Sequence, residues 1–203
     1  MEADWEVEIG SDAPVIDALW PGFIDLRRNP KRIGEIDETR KFPALTEVLL
    51  RLNRPGSSID PMLDDLPSGS QVWTSKCDLW TLDRSFDPWD PDEMDATPVE
   101  SLVALACYID LLPGNASLFA GLAEAETWAR GAVGRLRKTV CHCCRVDLVI
   151  RRAFKGDGEV LGITAYTTAC GADSNAAEEA LNCALRALVS AVRAAASNSV
   201  QML

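Results

Sequence analysis

Cys144-Arg145-Val146-Asp147-Leu148-Val149-Ile150-Arg151-Arg152-Ala153-Phe154 is followed by Lys155-Gly156-Asp157-Gly158 and then, from Leu161 to Cys170, by a second extended stretch. This is the segment whose reading decides the fold. Cys144, Val146, Leu148 and Ile150 alternate with Arg145, Asp147, Val149 and Arg151, the period of a strand with one buried face. The Gly-Asp-Gly run supplies turn residues that accept positive φ, so a hairpin is predicted. A helix should follow, with Leu181, Ala184, Leu185, Leu188 and Val192 on its buried stripe. Asn175 and Glu178 have the spacing of a capping box at its start.

Working outward, two earlier stretches match parts of this unit. Lys76-Cys77-Asp78-Leu79-Trp80 aligns with Arg145-Val146-Asp147-Leu148-Val149, and Ala106-Cys107-Tyr108-Ile109-Asp110 aligns with Thr164-Ala165-Tyr166-Thr167-Thr168. A fainter match sets Gly22-Phe23-Ile24-Asp25-Leu26 against Cys107-Tyr108-Ile109-Asp110-Leu111. Self-similarity of this kind predicts repeated supersecondary units. The expectation is three ββα units over residues 4–53, 72–138 and 144–196, the first divergent, with surface loops at 55–70 and 83–100. Helices are predicted over Pro43 to Asn53 and from about Leu118 to Lys138. Together these give one α+β domain over residues 1–203. It has two layers, a largely antiparallel six-stranded sheet with the helices on one face.

Composition bounds the function. A chain of 203 residues buries roughly 70% of its unfolded surface without a staple. The net charge of −11 argues against nucleic acid and against anionic membranes, where clustered Lys and Arg must replace counterions. The longest apolar run, Leu102 to Ile109, falls well short of the roughly 20 residues that span a bilayer. An acidic start without an apolar leader, and an odd count of seven cysteines, lead to the expectation of a reducing cytoplasm.

The alternation also sorts residues between sheet faces. With the apolar set turned to the helices, the other face should display Phe23, Asp25, Asp78, Trp80, Tyr108, Asp110, Arg145, Asp147 and Tyr166. Aromatic rings, carboxylates and Arg on one surface are what interfaces and binding sites use. The plainer alternative is a solvated face whose carboxylates pair with Lys76, Arg145 and Arg151 across strands.

Cys141-His142-Cys143-Cys144 holds metal-ligating residue types, but successive residues of an extended segment point to opposite faces. The spacing also lacks the paired ligands of a structural zinc site. Cys141, His142 and Cys143 are therefore weak metal candidates, and the same divergence argues against a Cys–His nucleophile pair. The acidic stretch around Asp90 lacks the glycine and terminal acid of a calcium loop. With no Walker A sequence, dinucleotide fingerprint or nucleophile elbow, no cofactor is implied. The expected function is a soluble binding or interaction domain that self-associates through the aromatic–carboxylate face, a homo-oligomer with a possible small-molecule or protein partner. The alternative is a small-molecule binder or a carboxylate-based enzyme using the same face.

Overall fold

The computed structural model describes residues 1–19, 24–54, 72–81, 103–114, 118–155 and 158–198, with side chains for all of these except 72–81 and 194–198. Its centre is the expected hairpin. Strands β5 (Cys144–Lys155) and β6 (Gly158–Gly171) pair antiparallel from Cys144↔Ala169 to Lys155↔Gly158. Gly156 and Asp157, the middle of the predicted turn, lie outside the described residues. On the free side of β6 the antiparallel ladder continues through β4 (Val103–Pro113) to β3 (Val72–Thr81). On the free side of β5 lies β1 (Glu2–Glu8), which runs parallel to it, from Glu2↔Arg145 to Glu8↔Arg151. The path is β1-β5-β6-β4-β3, and the two-residue β2 (Ile16–Asp17) also pairs parallel with β5.

The domain is α+β with a mixed sheet of five principal strands, which corrects the expectation of a six-stranded antiparallel one. The threefold ββα repetition is likewise not what the chain forms. Its first unit has no hairpin: β1 and β2 follow each other along the same edge of β5 in the same direction. The predicted strand at Phe23–Leu26 is absent where it is described. Phe23 lies outside the described residues, and Asp25 sits in a turn. Its Oδ1 accepts the backbone N–H groups of Arg27 at 3.0 Å and Arg28 at 3.3 Å. A short acidic side chain that bonds the backbone two and three residues on offers the chain an alternative to the ladder, and here that alternative wins. Leu26 then drops into the core at 2% exposure.

A 3₁₀ turn (Pro30–Glu35) and the short α1 (Asp37–Lys41) lead into α2 (Ala44–Asn53), entered through Pro43 as expected. Helix α3 (Leu122–Leu136) starts later than its sequence pattern suggests. Gly121 is fully extended, and Leu118 and Phe119 pack into the core before the helix begins, Phe119 edge-on to Trp128 at 5.4 Å. Helix α4 (Ser174–Asn198) is capped by Asp173 instead of Asn175: Asp173 Oδ1 accepts the N–H of Ala176 at 2.9 Å.

All three long helices share one core with one face of the sheet. Leu45, Leu49 and Leu52 of α2, Ala129 and Leu136 of α3, and Leu181, Leu185 and Leu188 of α4 meet Ile109, Val146, Leu148, Ile150 and Ile163 there. Each of those sheet residues is fully buried. Among the described residues, no helix is long and apolar enough to cross a membrane.

Close approach of α4 to β6 is fixed at Gly171. A Cβ at that position would lie 2.4 Å from the Ala177 nitrogen and 2.6 Å from the Ala176 carbonyl carbon, both backbone atoms that move only if the helix moves. Gly171→Ala should therefore destabilise the domain by about 1–3 kcal/mol. Gly134→Ala, in α3 with open space around its Cβ, should stabilise it by roughly 0.5–1 kcal/mol. Urea unfolding of the two variants checks the opposite signs.

Candidate functional site

The sheet face turned away from the helices is built from alternate residues. In β1 the inward set is Ala3, Trp5 and Val7, so Glu2, Asp4, Glu6 and Glu8 fall on the outer face beside Arg145, Asp147, Val149 and Arg151 of β5. One register row crosses the whole sheet: Asp4↔Asp147, Asp147↔Tyr166, Tyr166↔Tyr108 and Tyr108↔Asp78. The Tyr108 and Tyr166 rings lie 5.9 Å apart, tilted by 52°.

A groove of about 440 Å³ runs along this face. Asp4, Glu6 and Glu8 line one side, Tyr166 lines the other, and Arg145, Asp147, Val149 and Arg151 of β5 lie between them.

Arg151 organises the groove. Its side chain is only 10% exposed, and its Nε and Nη2 donate to Glu8 Oε2 at 3.1 and 2.5 Å. Its Nη1 donates to the Tyr166 hydroxyl at 3.1 Å and to Thr164 Oγ1 at 3.5 Å, and the guanidinium lies 5.4 Å from the centre of the Tyr166 ring. Burial alone would depress its pKa, but the bonds to Glu8 and Tyr166 outweigh burial and raise it. Thr164, itself 1% exposed, donates to Asp110 Oδ1 at 2.6 Å. Glu8, Arg151, Thr164 and Asp110 thus form one polar chain across β1, β5, β6 and β4. Farther along β5, the Arg145 Nε donates to both oxygens of Asp147, at 2.8 and 3.0 Å.

Of the residues singled out from sequence, Tyr108, Asp110, Arg145, Asp147 and Tyr166 come together on this face. Asp78 and Trp80 belong to β3, with backbones opposite Tyr108 and Ala106, and their side chains lie outside the described residues. Asp25 is not on the sheet; it is in the turn described above, and Phe23 is outside the described residues. Sequence reasoning missed the contribution of Glu6 and Glu8 and the linking role of Thr164. The sequence does carry a signal for the first, since Trp5-Glu6-Val7-Glu8-Ile9 alternates apolar and acidic residues, which puts the two carboxylates together on one strand face. The partner strand that gives those carboxylates meaning was not marked.

The Cys-His-Cys-Cys run is divided among separate tasks. Cys141 forms a disulfide with Cys183 of α4, which removes it as a metal ligand. Cys144 is buried in the core, and Cys143 is exposed. Among the described residues, no group of three or more His, Cys, Asp or Glu is placed to hold a metal ion. With two of the seven cysteines joined, cysteine usage no longer argues for a reducing compartment. The chain matches no protein-family model, and neither a curated protein nor a solved structure shows significant similarity to it.

Two measurements follow from these contacts. Thr164→Val removes the hydroxyl that joins Arg151 to Asp110 and should cost about 1–3 kcal/mol in urea unfolding. Combined with Asp110→Ala, the loss should fall short of the sum, because the two groups share one bond. Separately, the Cys141–Cys183 bridge closes a sequence separation of 42 residues, worth about 4 kcal/mol by chain entropy. Melting with and without reductant, beside a Cys141→Ser/Cys183→Ser double variant, should show the same downward shift for reduction and for substitution.

Proposed function

We propose that the chain is a binding domain whose recognition surface is the outer sheet face, and that its ligand is a small molecule bearing a positively charged amine. The observation that carries this reading is the state of the charges. Glu2, Asp4, Glu6, Glu8 and Asp147 outnumber Arg137, Arg145 and Arg151, and all three guanidiniums are already paired: Arg137 with Asp4, Arg145 with Asp147 and Glu2, and Arg151 with Glu8. Glu6 makes no ion pair with any described residue and lines the groove. An ammonium group placed there meets uncompensated carboxylate charge, while the ring of Tyr166 offers π surface to its carbon chain. Arg151 holds the Tyr166 hydroxyl, so the ring is oriented before a ligand arrives, which lowers the entropy lost on binding.

Carboxylate chemistry is less well supported. Asp110 already accepts a hydrogen bond from Thr164. Its strand is separated from that of Asp147 by β6, so the two backbones stand roughly 10 Å or more apart. Self-association through the same face is the second reading, favoured by the Tyr108–Tyr166 pair, since paired rings supply contact area at little entropic cost. Its difficulty is that two copies meeting face to face oppose like charges.

Calorimetric titration with aliphatic amines, from a monoamine to a linear triamine, tests the first reading. Binding should weaken as salt is added, and Glu6→Gln should lower affinity about tenfold or more, as expected for a lost charge-assisted bond. An absence of heat with every amine, or equal affinity in Glu6→Gln, would overturn it. Light scattering on the same samples addresses the second: a dimer that Tyr108→Glu converts to a monomer would place the interface on this face.

A further inference from the structure

Cys143 and Cys170 are brought together at the open end of the β5/β6 ladder. One pair beyond Cys144↔Ala169, the Cys170 N–H donates to the Cys143 carbonyl at 2.9 Å. A cross-strand backbone bond of this kind holds its two Cα atoms at about 4.5–5.5 Å, inside the roughly 4.4–6.8 Å that a disulfide spans. The Cys143 side chain is near enough to the Cys170 thiol to add to the effect of burial on it. Both are free, Cys143 exposed and Cys170 buried.

The backbone at Cys143 is unusual. Its φ of 55° makes it the one non-glycine residue with positive φ among those described. Such a conformation persists in a non-glycine residue only where its surroundings hold it. Here the restraints lie on both sides: Cys141 is bonded to α4 through Cys183, and Cys144 is anchored in the core.

We infer that Cys143 and Cys170 form a reactive dithiol, a modification site that closes to a second disulfide by exchange with a small-molecule disulfide. The exposed Cys143 attacks first. Its sulfur bonds to one sulfur of the reagent, the reagent's S–S bond breaks, and the leaving sulfur departs as a thiol carrying the Cys143 proton. Cys170 then attacks the Cys143 sulfur, and the second reagent sulfur leaves with the Cys170 proton. The two protein thiols are oxidised and one small disulfide is reduced to two thiols. Burial, with the neighbouring Cys143 and Cys144 adding to it, pushes the Cys170 thiol up to about 11, which makes it the slower partner and suits it to the second step.

The test is incubation of the native, full-length protein with excess hydroxyethyl disulfide, followed by intact mass and non-reducing peptide mapping. Wild type should lose two thiols, become lighter by two hydrogens, keep no adduct, and yield a Cys143–Cys170 linked peptide. Cys170→Ser should stop at a mixed disulfide on Cys143, and Cys143→Ser should consume reagent at least tenfold more slowly. Wild type that does not react, that retains the adduct, or whose new cross-link joins any other pair would overturn the inference. So would closure of Cys143→Ser at the wild-type rate. Mapping of the wild type decides the matter even where the buried Cys170→Ser change impairs folding.

Discussion

Confinement of the long helices to one face of the sheet is the constraint from which the other features follow. A sheet covered on one side turns half of its side chains toward solvent, and those side chains must satisfy their own polar groups. Arg151 is the clearest outcome. It lies on the outer face yet is almost wholly enclosed, and its buried charge is compensated because Glu8, Tyr166 and Thr164 surround it with acceptors. A buried charge with partners taken from two neighbouring strands ties their register together, because a slip of one residue would turn each partner to the opposite face.

The same constraint explains the chemistry of the groove. Where Arg151 and Arg145 neutralise a carboxylate the surface is closed; where the edge strand presents Glu6 without a partner among the described residues it is open. Specificity at such a surface comes from the charges left over after the fold has satisfied its own. The tyrosine at the groove wall contributes because its orientation is set by the same guanidinium that anchors the strands.

Much of the central sheet was legible in the sequence. Alternation in 144–154 and around Cys107-Tyr108-Ile109-Asp110 assigns faces correctly, and the phrases that align Tyr108 with Tyr166 are opposite each other in the ladder. Legibility ended where pairing is not announced by a turn. The alternation in Trp5-Glu6-Val7-Glu8-Ile9 is that of a strand, but a parallel partner more than a hundred residues away leaves no mark on it, so the sequence gives the carboxylate row no context. Asp25 misled because its neighbours are apolar enough for a strand, while its carboxylate bonds the backbone and makes a turn. The helix cap at Asp173 lies two residues before the capping-box spacing of Asn175 and Glu178, since a single side-chain oxygen suffices to cap. The cysteine run was rightly divided by the divergence of adjacent side chains, yet the pairing of Cys141 with Cys183 depends on how α4 lies over the sheet.

The placement of β1 has a consequence for biosynthesis. Glu8 and Arg151 are 143 residues apart in sequence, so β1 is without its partner until that many further residues have been translated. At ordinary elongation speeds of about 5–20 residues per second that interval is on the order of ten seconds, long compared with the microseconds of hairpin formation. During it, β1 is an unpaired amphipathic strand exposed to other nascent chains. Its alternate carboxylates, which later line the groove, repel identical copies over that interval and so guard against premature edge-to-edge pairing.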